Sequence, residues 1–176
     1  MLATGQQLTI NVGGLGATET MVIDGSAEAS GSLRLIAGAA ADTLTGGDGA
    51  DALFGGLGAD TLEGGGGADL FRYTNVAQSG PASRDFILDF VHGTDILDFA
   101  GIDANSLSGG NQAFSYIGST AFAGTGAASA GELRATVVSG TTWLVAGDTN
   151  GDGIADFEVN VTMAGMQQFT VGDFLL

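Results

Sequence analysis

Large apolar residues recur at a short and nearly fixed interval through the first 72 residues of the chain. Each lies in a brief β-prone stretch bounded by polar residues and glycine. The residues with this spacing are Ile10, Ile23, Leu35, Leu44, Leu53, Leu62 and Phe71. The intervals between them are 13, 12, 9, 9, 9 and 9 residues. A short repeated unit with one inward apolar residue is typical of a parallel β-solenoid, in which each unit stacks on the next.

After Arg72 the pattern changes, because glycine becomes less frequent, aromatic residues appear and the β-type runs lengthen. These runs include RDFILDF, LRATVV and DFEVNVT, and turn clusters such as SLSGGNQ and DTNGDGIA separate them. Such an arrangement is typical of an antiparallel meander or sandwich. The apolar residues that we expect in its core are Phe90, Phe99, Ile102, Phe114, Leu133, Val137, Trp143, Val145, Phe157 and Val159.

We therefore predict an all-β fold, in which a parallel β-roll or β-solenoid is followed by an antiparallel β-sandwich-like cap. The expected divisions are degenerate solenoid units in residues 1–36, a glycine-rich β-roll in residues 37–72 and the cap in residues 73–176. We expect the cap to cover the open end of the solenoid, whose backbone groups would otherwise be unpaired.

Residues 46–72 consist of three consecutive nonapeptides, GGDGADALF, GGLGADTLE and GGGGADLFR. Each begins with Gly-Gly, has a further glycine at position four and an aspartate at position six. The preceding unit, AGAAADTLT, keeps Asp42 and Leu44 but has lost most of the glycines, so we interpret it as a degenerate first member. A flexible glycine-rich linker is the alternative, but a linker would not keep these residue types in register three times.

The chemistry of the nonapeptide favours calcium as the cofactor. Calcium takes about six to eight hard oxygen ligands, which carboxylates and backbone carbonyls supply. Glycine allows the tight turns that aim successive carbonyls at one point. Asp48 lies at a variable position of the repeat, and we expect it to be solvated. The predicted metal-binding positions in the array are Gly46, Gly47, Gly49, Asp51, Gly55, Gly56, Gly58, Asp60, Gly64, Gly65, Gly67, Asp69 and the earlier Asp42.

A second acidic stretch, GDTNGDGIADFE, has the spacing of an EF-hand-like loop. Its candidate ligands are Asp148, Asn150, Asp152 and Asp156, but Val159 stands where such a loop has its bidentate glutamate. The alternative is a hairpin turn built from the Asn-Gly and Asp-Gly pairs. The sequence leaves both interpretations open.

The charge balance agrees with cations as partners, because 20 acidic residues face only 4 arginines and no lysine, for a net charge of -16. Nucleic acids and anionic lipid surfaces bind proteins through Lys and Arg, so neither is expected as a partner. There is no cysteine, which excludes disulfides and thiolate metal sites. The N-terminus has no Sec-type signal pattern, and no apolar stretch approaches the roughly 20 residues of a membrane span, so we expect no membrane insertion.

Two sets of motifs resemble a known family. The nonapeptide matches GGxGxDxUx, the haemolysin-type calcium-binding repeat of RTX proteins. ADLFRY, RDFILDFVHGTDILDFAGID, GELR, GDTNGDGIADFEV and a terminal DFLL follow in an order that resembles the C-terminal module of serralysin-type metalloproteases, over residues 37–176. Similar modules occur on alginate epimerases and type I-secreted lipases. The N-terminal LTINVGGLGATETMVIDGSAE instead resembles repeats of large secreted surface proteins.

This resemblance implies that each nonapeptide is half a coil of a β-roll. Asp42 would then face Asp60, and Asp51 would face Asp69, which gives about two calcium sites, with Asp85 as an extra ligand at the end. The resemblance also implies an uncleaved C-terminal signal that a type I exporter reads, for which residues 173–176 (DFLL) fit. The expected location is therefore extracellular or on the cell surface.

The motifs of an enzyme are missing from this sequence. There is one histidine, His92, and no HExxH, GxSxG or lysine-dependent motif. We therefore predict a non-catalytic calcium-binding module that folds on calcium binding after type I secretion. One alternative is the terminal piece of a surface-layer or adhesin-like protein, which attaches to a cell surface or self-associates. Another is the C-terminal module of a secreted protease, epimerase or lipase whose catalytic domain is absent here.

Overall fold

The computed structural model describes residues 1–126 and 128–176, and these residues form fourteen β-strands and two single-turn 3-10 helices. The strands are β1 (Gln7–Asn11), β2 (Val22–Asp24), β3 (Ser32–Ile36), β4 (Thr43–Thr45), β5 (Ala52–Phe54), β6 (Thr61–Glu63), β7 (Leu70–Arg72), β8 (Asp85–Phe90), β9 (Ile96–Asp98), β10 (Ser115–Tyr116), β11 (Glu132–Ser139), β12 (Thr142–Asp148), β13 (Phe157–Met163) and β14 (Phe174–Leu175). The 3-10 helices are Val76–Gln78 and Val171–Asp173. Within the described residues, no helix is long and apolar enough to cross a membrane.

Successive strands of the first half alternate between two sheets. One sheet has the order β1-β3-β5-β7-β9-β14, and the other has the order β10-β11-β12-β13-β8-β6-β4-β2. From β1 to β9 every pairing within each sheet is parallel, as the nine-residue period predicts. The chain therefore forms a β-roll in which each coil contributes one short strand to each sheet.

One apolar residue per strand fills the space between the two sheets. Leu35 pairs with Leu53, Leu53 with Phe71 and Phe71 with Leu97 along the first sheet. The matching column of the second sheet consists of Ile23, Leu44, Leu62 and Ile87. All eight side chains are buried. Because stacked coils bury identical positions against each other, these columns are the main hydrophobic stabilisation of the roll.

The roll continues beyond Arg72. Strands β8 and β9 add a further coil to the two parallel sheets, and β14 pairs in parallel with β9. Among the strands of the described residues, antiparallel pairing occurs between β11, β12 and β13, and β13 then joins β8 in parallel. The alternating apolar pattern of β8 and β9 is the same for parallel and for antiparallel neighbours. The sequence therefore could not show that these two strands belong to the parallel roll and not to the antiparallel cap. The proposed divisions at residues 37 and 73 stay predictions.

The core of the second half is largely aromatic. The ring of Tyr73 lies 5.1 Å from that of Phe157 and 5.8 Å from that of Phe99, centroid to centroid. Of the ten residues that we expected in this core, nine are buried. Val137 is the exception, since its side chain is 57% exposed. Val137 still pairs with Trp143, and the register shifts only after it, so Val137 keeps the inward side of β11 but lies in the exposed end of the strand.

The last residues of the chain pack into the body of the fold. Asp173 is fully buried, and its Oδ1 lies 2.8 Å from His92 Nδ1 and accepts the backbone N–H of Gly93 at 2.9 Å. Phe174 stacks on Phe169 with 5.3 Å between ring centroids. Strand β14 extends the first sheet at its edge. The C-terminal segment is therefore an integral part of the sheet and the core.

Candidate metal centre

Six buried aspartates form two ladders along opposite edges of the roll. We name Asp42, Asp60 and Asp85 the first ladder, and Asp51, Asp69 and Asp95 the second ladder. Each aspartate closes a turn and precedes or begins the strand that follows it. The carboxylates therefore repeat at the spacing of the stacked coils.

Backbone N–H groups join neighbouring rungs of the first ladder. The N–H of Asp42 donates to Oδ1 of Asp60 at 2.7 Å, and the N–H of Asp60 donates to Oδ1 of Asp85 at 2.9 Å. These contacts bring together Asp42 and Asp60, as the half-coil geometry implied, and they place Asp85 directly next in line. Whether the three residues hold an ion stays a prediction.

The second ladder repeats this connection. The N–H of Asp51 donates to Oδ1 of Asp69 at 2.8 Å, and the N–H of Asp69 donates to Oδ1 of Asp95 at 3.0 Å. Asp95 was not among the sequence-derived candidates. Its signal was present, because Asp95 precedes the inward Leu97 by two residues, as Asp69 precedes Phe71. The glycines that mark the other units are absent there.

The second carboxylate oxygens divide the six aspartates into two classes. Oδ2 accepts a backbone N–H in Asp42, Asp51 and Asp95, at 3.0, 2.6 and 2.7 Å respectively. Oδ2 of Asp60 and of Asp69 is buried and has no hydrogen-bond partner. Buried polar atoms without a partner are rare in folded proteins and mark places where an ion or a water is expected. Among the described residues, Oδ2 of Asp60 and Oδ2 of Asp69 are therefore the unpaired carboxylate oxygens of the ladders, whereas the side chain of Asp85 also interacts with the hydroxyl of Tyr73.

Burial makes ionisation of these three groups unfavourable. Desolvation raises the pKa of Asp60 and of Asp69 to about 7, and it raises the pKa of Asp85 to about 8. Hydrogen bonds from the neighbouring rung lower each pKa, and the negative charge of nearby aspartates raises it again. A cation beside such a carboxylate favours its ionised form. Without a cation, each of these carboxylates keeps its proton until the pH approaches about 7 or 8.

The glycines of the repeat leave room for oxygens. A Cβ added to Gly56 would lie 2.0 Å from the carbonyl oxygen of Gly38, and one added to Gly58 would lie 2.2 Å from that of Ala40. Gly56 and Gly58 also have φ values of +94° and +127°, which side chains disfavour. Any other residue would displace these carbonyls.

The same close approach holds for every predicted glycine of the array. Each ideal Cβ position would fall within 2.5 Å of a carbonyl or carboxylate oxygen, at Gly46, Gly47, Gly49, Gly55, Gly56, Gly58, Gly64, Gly65 and Gly67. At Gly55 and Gly64 that oxygen is the unpaired Oδ2 of Asp60 and of Asp69, at 2.4 and 2.3 Å. The turns therefore surround each unpaired carboxylate oxygen with backbone.

The donor set fits calcium. All the candidate ligands are carboxylate and carbonyl oxygens, which hard cations prefer. In residues 1–126 and 128–176, no three or more His, Cys, Asp or Glu side chains are placed to hold a metal by themselves. An ion in these turns would therefore draw most of its ligands from the backbone, as glycine-rich turns allow.

The other acidic loop connects β12 and β13, and its aspartates are occupied by the loop itself. Asp148 is buried, and its two oxygens accept the N–H groups of Gly151 and Gly153 at 2.7 and 2.9 Å. Asp156 Oδ1 accepts the side-chain amide of Asn150 at 2.8 Å. Asp152 is exposed. This pattern favours the hairpin interpretation, and calcium binding here stays a prediction.

Two further aspartates lie in or beside the glycine turns. Asp48 is exposed, as expected from its variable position in the repeat. Asp89 accepts the N–H groups of Gly64 and Gly65 at 2.9 and 2.7 Å, one on each carboxylate oxygen. Asp89 therefore caps the last glycine turn, and nothing in the repeat pattern pointed to it.

Comparison with known proteins gives one family and a set of structural relatives. The family model described as peptidase M10 serralysin C terminal matches residues 9–176. This range also includes most of the N-terminal segment, which the sequence motifs alone had not connected to serralysins. No curated protein sequence matches the chain.

Two solved structures come from the mannuronan C5-epimerase of Azotobacter vinelandii. The solution structure of its AlgE6R2 subunit is 27% identical, with a TM-score of 0.55, and the alignment covers 90% of this chain and 87% of that one. The AlgE6R3 subunit is 26% identical, with a TM-score of 0.53 and coverages of 84% and 73%. The β-roll architecture is therefore shared with modules of a larger enzyme.

Proposed function

Since the chain belongs to the peptidase M10 serralysin C-terminal family, we propose that it is a non-catalytic calcium-binding module that folds on calcium binding after secretion. The observation that carries this proposal is the pair of buried, unpartnered oxygens, Oδ2 of Asp60 and Oδ2 of Asp69, which the glycine turns surround. Calcium supplies the positive charge that lets both carboxylates ionise in the folded chain.

We assign one site to each side of the roll. On the first side, the carboxylate of Asp60 and the carbonyls of Gly38 and Ala40 face the turn that contains Gly56 and Gly58. On the second side, the corresponding groups are Asp69 and the carbonyls of Gly47 and Gly49. Asp42 and Asp51 hold the neighbouring turns in place, because their carboxylates already accept two backbone N–H groups each.

The same residues explain why the chain stays unfolded without the ion. The buried aspartates must either lose solvation or take up protons, and the glycines lose more backbone freedom on folding than other residues. Extracellular modules bind calcium with dissociation constants on the order of 10⁻⁴ to 10⁻³ M. At a free concentration of about ten times this constant, each site adds about 1.4 kcal/mol to stability. Folding and binding are therefore linked.

Family membership and the character of residues 173–176 support secretion through a type I exporter. The chain ends in an aspartate followed by three apolar residues, Asp173 to Leu176. We infer that this segment is read while the chain is unfolded and joins the sheet afterwards. The expected location is extracellular or at the cell surface.

The absence of catalysis is part of the proposal. The matched family is a C-terminal region of proteases, and the single histidine, His92, binds the carboxylate of Asp173. A catalytic domain elsewhere in the same protein agrees with the structural relatives, which are subunits of an epimerase. A terminal piece of a surface-layer or adhesin-like protein is the other candidate. Calcium-dependent self-association in light scattering or cosedimentation with cells would favour that second role.

A calcium titration followed by circular dichroism tests the proposed function. We expect the β-signal to appear on calcium addition and to disappear with a chelator. The double variant D60N/D69N should lose most of the calcium dependence of its β-signal, because both sites lack their carboxylate, whereas D48N, at the exposed position, should behave like the wild type. A full β-signal in the chelator for the wild type would contradict calcium-dependent folding.

A further inference from the structure

The two sheets of the fold end in four edge strands, of which β1 is the least protected. Strands β1 and β14 are the edges of the first sheet, and β10 and β2 are the edges of the second. Strands β10 and β14 have two residues each, and β2 has three and carries Asp24. Strand β1 has five residues, QLTIN, with neither a charge nor a proline. Proteins protect sheet edges by shortness, charge or proline, so an edge that has none of these is suited to pair with another strand.

The free side of β1 carries a defined set of backbone hydrogen-bonding groups. Among the strands of the described residues, β1 pairs with β3 alone. On that side the N–H of Ser32 donates to the carbonyl of Gln6 at 2.9 Å, and the N–H of Val12 donates to the carbonyl of Ile36 at 2.8 Å. Because successive residues of a strand turn their backbone groups to opposite sides, the even-numbered residues of β1 serve β3. The residues whose groups point away are Gln7, Thr9 and Asn11.

The residues before β1 run away from this free side. The carbonyl of Ala3 accepts the N–H of Gln6 at 2.9 Å, and the carbonyl of Leu2 accepts the hydroxyl of Ser30 at 2.7 Å. The segment is thus folded against the turn that precedes β3. The free side of β1 stays uncovered, and Gln7 and Thr9 are exposed.

The inner face beside this edge is open as well. Leu8 and Ile10 point into the roll, where they pair with the buried Leu33 and Leu35. Leu8 is nevertheless 45% exposed, and a cavity of about 210 Å³ lies between Leu8, Ile10 and Leu33. The first coil therefore offers an uncovered apolar layer directly under the free edge.

A second copy of β1, running antiparallel, matches this edge group for group. In an antiparallel hydrogen-bonded pair, two facing residues exchange both of their backbone bonds. With Thr9 on the two-fold axis, the Thr9 residues of the two copies face each other, and Gln7 of each copy faces Asn11 of the other. These are the residues whose backbone groups point away from β3. On the inner face, Leu8 of each copy lies opposite Ile10 of the other and covers the open apolar layer.

We propose that two copies of the folded chain dimerise through antiparallel β1 strands, so that their six-stranded sheets become one continuous sheet. A second copy is the partner because this edge is its own complement in backbone groups, in polar side chains and in apolar side chains. The edge strand is also uncharged in a chain whose net charge is -16, so two copies approach here without placing like charges opposite each other. A two-fold pair is closed, whereas a surface layer needs contacts that continue beyond two copies. The dimer therefore goes beyond both proposed roles and depends only on the folded roll.

Light scattering coupled to size exclusion, in calcium, tests the dimer. We expect the wild type to have twice the mass of the single chain of 17.4 kDa. Thr9→Pro should be monomeric, because it removes an outward N–H that the single chain does not use and proline is tolerated on edge strands. Leu8→Lys should also be monomeric, which provides a second test if Thr9→Pro folds poorly. Leu57→Lys is the matched control, since Leu57 is 46% exposed on another part of the roll, and it should stay dimeric.

Cysteine crosslinking tests the register of the two strands, because the wild type has no cysteine. Facing residues of a hydrogen-bonded pair have Cα atoms about 5.5 Å apart, within the range of a disulfide, so Thr9→Cys should crosslink on mild oxidation. Gln7→Cys alone should not crosslink, because the two Gln7 residues lie about 13 Å apart along the strands. A mixture of Gln7→Cys and Asn11→Cys should crosslink. Thr18→Cys, exposed in the loop after β1, is the control and should stay uncrosslinked.

The outcomes separate the dimer from the proposed function. Circular dichroism of the same samples shows whether the roll is folded, so a missing dimer and a missing response to calcium are different results. A folded wild type that stays monomeric at every concentration refutes the second copy as partner and leaves the edge to a strand of a different polypeptide. A dimer that persists in Thr9→Pro and Leu8→Lys, or a Thr9→Cys that does not crosslink, refutes β1 as the interface.

Discussion

Replacing Asp60 by asparagine should stabilise the calcium-free protein and destabilise the calcium-bound one. The side chain of Asp60 is fully buried, and its pKa is raised from 3.8 to about 7. Each unit of this rise corresponds to about 1.4 kcal/mol, so the ionised carboxylate costs the folded chain at most about 4 kcal/mol at pH 8. Asparagine has the same shape and no charge.

The asparagine side chain cancels part of this gain in the stability of the calcium-free protein. The carbonyl of the asparagine side chain still accepts the N–H of Asp42, but its NH₂ group takes the place of the unpaired Oδ2. A buried amide without a partner costs about 1–3 kcal/mol. We therefore expect Asp60→Asn to be more stable than the wild type by about 1–3 kcal/mol in a chelator at pH 8.

The effect of pH has a definite sign. Because the folded pKa of Asp60 lies above the unfolded value, the folded chain keeps a proton that the unfolded chain loses as the pH rises from about 4 to about 7. The calcium-free wild type thus becomes less stable over this interval, and the advantage of Asp60→Asn should disappear near pH 4. In calcium the order reverses, because the variant lacks a ligand.

Urea denaturation followed by the fluorescence of Trp143 measures these differences in chelator and in calcium. Trimethylamine N-oxide can be added equally to all samples to fold the calcium-free chain. Asp48→Asn is the control, because Asp48 is exposed and should show neither effect. If Asp60→Asn is less stable than the wild type in chelator at pH 8, the assigned cost of burying this carboxylate is refuted.

Three further outcomes follow from the same structure. In the calcium-free chain folded by trimethylamine N-oxide, calcium binding at pH 7 should release about one proton, because Asp60 and Asp69, each with a pKa of about 7, hold about half a proton each; calorimetry in buffers of different ionisation enthalpy would show no dependence if this is wrong. Gly58→Ala should lower the free energy of unfolding by more than about 1–2 kcal/mol, because φ is +127° and the new Cβ would meet a carbonyl. Gly80→Ala, whose new Cβ would lie 3.9 Å from its nearest atom, should leave thermal unfolding nearly unchanged. Leu53→Ala should cost about 3–5 kcal/mol in calcium, as expected for a fully buried leucine, and a cost equal to that of Leu57→Ala, at a 46% exposed position, would contradict the stacked core.

The β-roll was predictable because one large apolar residue marks each nine-residue unit. Leu53 pairs with Phe71 in the structure because each stands two residues after an aspartate that ends a glycine turn. A repeat of nine residues leaves one inward position per strand, so the spacing alone determines which side chains form the columns. The pairing of Asp42 with Asp60 and of Asp51 with Asp69 came instead from the resemblance to RTX repeats, which implies that each nonapeptide is half a coil.

The closing of the ladders was not predictable in this way. Asp95 keeps the two-residue spacing to Leu97 but lacks the glycines of the repeat, and the loop after β8, which does not repeat, brings it back to the roll. Val137 shows the same limit on a smaller scale, since alternation places it on the inner side of β11 but this end of the strand is exposed. Contacts set by non-repeating segments depend on the whole chain, which a local pattern does not contain.

The burial of the C-terminal residues has a consequence for the direction of transport. Once His92 and Gly93 hold Asp173 and Phe174 lies against Phe169, the segment that we assign to the exporter is no longer a free peptide. A molecule that folds before export would therefore bury the segment that the exporter must bind. A molecule that folds after export would no longer present this segment to the exporter. Under the proposed secretion, folding outside the cell thus withdraws this segment from the exporter.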